Sequence, residues 1–240
     1  MSSSRPIALL LTLSLALAAG TQPRGIAQET PPAQNSTAAS PKYASEFAAF
    51  RKADSENPRP HGSIVFTGSS SIRLWKTLQS DFPELRVLNR GFGGSTSTET
   101  LANYDILIKP HNPRQVVIYV GSNDISRGAT ATDVLKTLAS LFDRIHHDFP
   151  AAKISYISNA PNPKRWSMVE QFKTINATVE SWTQQRPYLD FINVFPKMLG
   201  ADGLPLPDIF VSDNLHMNQK GYAIWKATVA PHLLPEPPAN

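Results

Sequence analysis

From residue 64 onward this chain alternates short apolar runs with longer stretches of helical periodicity. No other feature of the sequence restricts the possible folds so strongly. Ile64-Val65-Phe66, Val87-Leu88-Asn89, Val116 to Val120, Ile154 to Ile157 and Leu189 to Val194 are brief and rich in Val, Ile and Leu. Runs of that length and composition read as buried strands. The segments between them read as helices: Ile72 to Leu78, Thr96 to Ile108 (ended by Pro110 and Pro113), Asp133 to Asp148, Val169 to Gln185 and Gly221 to Leu233. The third of these places Leu135, Leu138, Leu141, Phe142 and Ile145 on one face. Parallel strands need long crossovers, and helices supply them. The pattern therefore predicts a three-layer α/β/α sandwich, flavodoxin-like, around a five-stranded parallel sheet. No internal repeat is visible. In such sheets ligands bind at the carboxyl ends of the strands, where the strand order reverses. The residues following each strand are therefore the ones to inspect.

The first 60 residues stand apart from this pattern. Arg5, the apolar run Ile7 to Ala19, and small residues at Ala16, Ala18, Ala19 and Gly20 form the three regions of an export signal, with a second exit after Ala27. The run falls short of the roughly 20 residues of a membrane span, which disfavours an uncleaved anchor. Residues 1–27 are read as a signal peptide and 28–42 as a disordered linker rich in Gln, Pro, Ser, Thr and Ala. Residues 43–235 are read as one domain, opening with a short helix from Tyr43 to Asn57 that Pro58 and Pro60 stop. The expected location is secreted or periplasmic, with no stable membrane insertion after processing. With 41% hydrophobic and 18% charged residues the chain can bury a full core. Its net charge of +4 includes Arg5 and Arg24 of the leader, and no dense Lys/Arg run occurs, so nucleic acid is not an expected partner. The absence of cysteine excludes disulfides, thiolate metal sites, a cysteine nucleophile and a lipoprotein anchor.

Four segments at strand ends carry groups suited to chemistry. Gly68-Ser69-Ser70-Ser71 follows the first strand and precedes a helix. A serine there is either an N-cap or a nucleophile beside converging backbone N–H groups. Gly91-Phe92-Gly93-Gly94-Ser95-Thr96 follows the second strand. It fails as a dinucleotide fingerprint, because Thr96 stands where the last glycine belongs and no acidic residue closes a later strand at the required spacing. It serves either as a tight turn or as a place where a backbone N–H meets a ligand oxygen. Gly121-Ser122-Asn123-Asp124 follows the third strand, and Asn123 is either an Asx-turn residue or an amide donor. Asp213-Asn214-Leu215-His216 follows the last strand. An Asp three residues before a His can accept the ring Nδ1–H and leave Nε2 free as a base. Asn218 is placed to cap the final helix.

Each segment alone has a bland reading, but together they supply every part of acyl transfer: nucleophile, base, orienting carboxylate and oxyanion donors. No G-x-S-x-G elbow occurs, which disfavours an α/β-hydrolase. The four segments resemble the signature blocks of the SGNH, or GDSL-like, hydrolases over about residues 60 to 233. The stretch Phe66 to Trp75 is most similar to the branch of platelet-activating-factor acetylhydrolase subunits. The resemblance implies Ser70 as nucleophile, Asp213 and His216 as its partners, and Ser70 N–H, Gly94 N–H and the Asn123 amide as oxyanion hole. Two departures leave alternatives open. Ser69 replaces the family's usual Asp, so Ser69 and Ser71 rival Ser70, and Gly93 rivals Gly94. The resemblance implies no cofactor and no metal. It implies a short-chain ester, acetyl foremost, as substrate, small or on a carbohydrate, and the short spacings between the segments show no lid. A thioesterase or lysophospholipase, or a non-catalytic carbohydrate-binding domain on the same fold, are the competing expectations. Trp75, Trp166 and the loop 203–210 are expected either to line the pocket or to pack in the core.

Overall fold

The computed structural model describes residues 41–58 and 61–237. The expected leader, and the linker through residue 40, lie outside them. The last expected linker residues, 41 and 42, instead begin a 3-10 turn, Pro41–Tyr43. Tyr43 explains the difference: its ring is buried edge-on against Phe92 at 4.7 Å and anchors the turn.

Five strands form one parallel sheet: β1 (Ile64–Gly68), β2 (Val87–Gly91), β3 (Gln115–Tyr119), β4 (Lys153–Ile157) and β5 (Leu189–Ile192). Their spatial order is β2-β1-β3-β4-β5. The chain steps from β1 to one side, then crosses back to lay β3 on the other side of β1. The crevice beyond β1 and β3 is thus the switch point that such sheets use for binding.

Alternate strand residues feed two cores. Val65, Val116, Ile118 and Tyr156 face one layer, and Ile64, Phe66, Val117 and Tyr119 the other. The first layer holds α1 (Ala44–Glu56), then α4 (Ser97–Ala102) and α5 (Tyr104–Leu107), and the long helices α7 (Ala131–Asp148) and α8 (Val169–Trp182). The second layer holds α2 (Ser70–Arg73), α3 (Leu78–Asp81) and α9 (Gln219–Val229), centred on Trp75 and Trp225. A further single turn, α6 (Ser122–Ser126), follows β3. Among the described residues no helix is long and apolar enough to cross a membrane.

Two boundaries differ instructively from expectation. Helix α7 starts at Ala131 rather than Asp133, because Thr130 and Asp133 form a reciprocal capping box. The helix expected over 72–78 is broken into α2 and α3. The Asn89 amide takes the Ile72 carbonyl at 2.6 Å, an acceptor that a continuing helix would need, and Trp75 Nε1 donates to Asp81 across the bend at 2.8 Å. Trp75 is buried among Phe66, Phe82, Tyr222 and Trp225. It is a core residue and does not line the cleft that holds Ser70.

Candidate active site

Strand β1 ends at Gly68, whose φ of +121° and close approach to the Tyr119 carbonyl admit no side chain. Ser69 N–H still pairs with that carbonyl at 3.0 Å. The chain then turns sharply into α2, with Ser69 as its extended N-cap residue and Ser70 at the first helical position. Ser69 makes no side-chain capping bond. The turn sets Ser70 Oγ on the sheet rim, 2.9 Å from His216 Nε2.

His216 comes from a loop closed by an antiparallel bridge between Phe210 and Met217. Val211 N–H donates to the His216 carbonyl, and Asn214 turns the chain in the left-handed region at φ 57°. Asn218 fastens the far end: its amide donates to the Asp208 and Phe210 carbonyls while its oxygen caps α9, as the sequence predicts. Within the loop Asp213 folds back onto His216. Its Oδ2 lies 2.5 Å from Nδ1, and its Oδ1 accepts the backbone N–H groups of Leu215 and His216, each at 2.9 Å. Burial works against its charge, but the His216 backbone N–H, the His216 ring and the Leu215 N–H outweigh it and hold the carboxyl down to about 2.

Asn123 lies in the first turn of α6, not in an Asx-turn, and is buried. Its Nδ2 donates to the Ser95 carbonyl at 2.9 Å. The next residue, Asp124, accepts Ser97 N–H at 2.9 Å and Ser97 Oγ–H at 2.5 Å, which locks the start of α4 against α6. Burial pushes the Asp124 carboxyl up, against these bonds. Gly94, next to Ser95 in the chain, sits at φ +65° with its carbonyl held by Arg127. The two candidate glycines differ. Gly93 N–H is already donated to Glu46 at 3.0 Å, whereas Gly94 N–H has no hydrogen-bond acceptor among the described residues.

Ser70, Asn123 and His216 line one cleft, open to solvent, together with the buried side chains of Tyr119, Met198, Phe210 and Trp225. Of the residues expected to shape a pocket only Phe210 lines it; Trp166 does not, nor does Gly94, in the loop before α4. Arg165 is a charged lining residue that the sequence did not point to. It sits in the 3-10 segment Pro163–Met168 and reaches both Ser122 and Asn123. A lone arginine in a loop carries no motif or period by which to find it. Among the described residues no group of three or more His, Cys, Asp or Glu side chains is placed to hold a metal ion.

A family model described as the GDSL-like lipase/acylhydrolase family matches residues 62–224, a span that contains all five candidate residues. Solved structures share the fold. One is a protein assigned as a platelet activating factor from Streptococcus pneumonia, with a TM-score of 0.71, 19% identity, and coverage of 80% of this chain and 92% of that one. Another is a GDSL-like lipase from Bacteroides thetaiotaomicron, with 0.66, 22%, 78% and 97%. A third is a variant acetyl-xylooligosaccharide esterase from Geobacillus, with 0.59, 16%, 75% and 99%. No curated protein matches the chain.

Proposed function

Because the chain belongs to the GDSL-like lipase/acylhydrolase family, we propose that it is an exported serine esterase that removes short acyl groups, acetyl foremost, from small or carbohydrate esters. The observation that carries this reading is the unbroken line Asp213–His216–Ser70 opening onto the cleft. In the first step His216 Nε2 takes the Ser70 proton while Oγ attacks the acyl carbon. Asp213 receives Nδ1–H and balances the imidazolium charge. The acyl oxygen, negative in the tetrahedral intermediate, is held by Ser70 N–H, Gly94 N–H and the Asn123 amide. His216 then gives its proton to the leaving alkoxide. In the second step water, deprotonated by His216, attacks the acyl-serine, and His216 returns that proton to the leaving Ser70 Oγ as the acid is released.

The buried side chains of Tyr119, Met198, Phe210 and Trp225 line the same cleft as Ser70, which supports a short acyl group. The similar Geobacillus protein acts as an acetyl-xylooligosaccharide esterase, which supports a sugar ester. Export follows from the leader read in residues 1–27, and N-terminal sequencing of protein recovered outside the cytoplasm tests it. The enzymatic reading is tested by fluorophosphonate labelling and by a p-nitrophenyl ester series beside acetylated sugars. Labelling at Ser70 and a rate that falls from acetyl towards octanoyl are expected. A protein that neither labels nor turns over any ester is not this enzyme, and a preference for long chains refutes the short acyl site.

A further inference from the structure

We propose that Arg165 is a positioning residue for ester hydrolysis: its guanidinium orients the Asn123 carboxamide so that one N–H of that amide faces the reacting acyl oxygen. This rests on the reading of Asn123 as an oxyanion donor. A carboxamide has two orientations of almost equal shape, related by a half-turn, and only one presents nitrogen where the other presents oxygen. Here both ends are specified. Arg165 Nη2 lies 2.8 Å from Asn123 Oδ1. A guanidinium only donates, so that end must be oxygen. The Ser95 carbonyl, 2.9 Å from Nδ2, only accepts, so the other end must be nitrogen. Ser95 uses one of the two Nδ2 protons and leaves the second for the cleft.

The grip is rigid. Arg165 Nη1 also donates to Ser122 Oγ at 3.0 Å, so the planar fork holds two successive residues of α6 instead of pivoting on one contact. The Arg165 backbone N–H is itself held by Asn162 Oδ1 at 3.0 Å. The neighbouring Lys164 N–H bonds the Asn214 carbonyl at 3.0 Å, seating this loop against the one that bears Asp213 and His216.

The charge has a use as well. Burial works against the Arg165 cation, and among the described residues no carboxylate pairs with it. A partly buried cross-link that served stability alone would ordinarily be paired. Left unpaired, the cation polarises the amide through Oδ1 and strengthens Nδ2–H as a donor when negative charge develops on the acyl oxygen.

A double-mutant cycle on p-nitrophenyl acetate tests this, with Ser70→Ala measured alongside to judge the esterase reading separately. Arg165→Met should lower kcat about 10- to 100-fold and leave KM within about 3-fold. In an Asn123→Ala background the same change should cost less than about 3-fold, since its target is gone. Arg165→Lys keeps one donor and should lie between wild type and Met. If Arg165→Met does not fold, the Lys variant carries the cycle and must likewise fall silent beside Asn123→Ala. Equal losses in both backgrounds, or a loss confined to KM, would overturn the proposal. A readout free of turnover accompanies these: the Asn123 side-chain amide resonance, identified by its disappearance in Asn123→Ala, should move in Arg165→Met. An unmoved resonance overturns the proposal whatever the enzyme hydrolyses.

Discussion

Replacing Asp213 by Asn keeps the shape of the loop and should remove the base. Asp213 serves three donors with two oxygens: Oδ1 takes two backbone N–H groups, and Oδ2 takes the ring. Asparagine has one oxygen. If it turned that oxygen to the ring, its NH₂ would face both backbone donors, at about 1–3 kcal/mol for each unmade bond. The oxygen therefore stays with the backbone, and the NH₂ faces Nδ1. An NH₂ group only donates, so Nδ1 must accept, and the ring proton moves to Nε2, which points at Ser70 Oγ from 2.9 Å. The base then offers the nucleophile a proton instead of a lone pair. A loss of about 10⁴-fold in kcat is expected, the size that a wrong tautomer costs a serine protease. Asparagine should be no better than alanine, which imposes no tautomer. With its carboxyl held at about 2, Asp213 is ionised throughout an assay from pH 5 to 9, so the comparison is with the charged carboxylate at every point of that range. Its effect on stability has the opposite reach. A depressed carboxyl stabilises above its unfolded value near about 3.9, and that contribution is lost as pH falls through the folded one. Because the side chain is 46% exposed, solvent screening keeps the contribution small. The variant should lose little Tm at pH 7, and the gap should close near pH 2. Measuring kcat and KM over pH 5 to 9 for wild type, Asn and Ala decides the matter. An Asn variant within a few-fold of wild type, or far better than Ala, would refute the argument.

Three further outcomes follow from the same geometry. Ser70→Ala should lose about 10⁴-fold or more in turnover while Ser69→Ala and Ser71→Ala stay within about 10-fold; the reverse order would shift the nucleophile by one residue. Asn123→Ala should fold and lose about 10²- to 10³-fold in kcat with KM little changed, and a loss seen only in KM would remove it from the oxyanion hole. Gly68→Ala should be destabilised by more than about 3 kcal/mol in urea unfolding, because a Cβ there would lie 2.1 Å from the Tyr119 carbonyl oxygen at a φ of +121°; near-wild-type stability would mean that the rim is softer than its packing implies.

The strand-and-helix alternation determined the sheet, because strand length and helical period are local properties that burial on two faces writes directly into the chain. The four strand-end segments were legible for a related reason: each packs its chemistry into a few consecutive residues, as Asp213 and His216 do in one turn. What depended on contacts between distant segments was not legible. Trp75 reads as core or as pocket wall until Phe66, Phe82 and Trp225 are seen around it. Gly93 and Gly94 are equivalent neighbours until Glu46, 47 residues earlier, claims one N–H. The break between α2 and α3 depends on Asn89, which reaches the Ile72 carbonyl from the next strand. Arg165 gave no signal at all, since what it does is fixed by the meeting of its loop with α6, 42 residues away from Asn123 in sequence. Local sequence thus set which elements form and which groups they offer. The tertiary structure decided which donors are spent and which stay free, because a hydrogen bond is settled by position in space and not by separation along the chain.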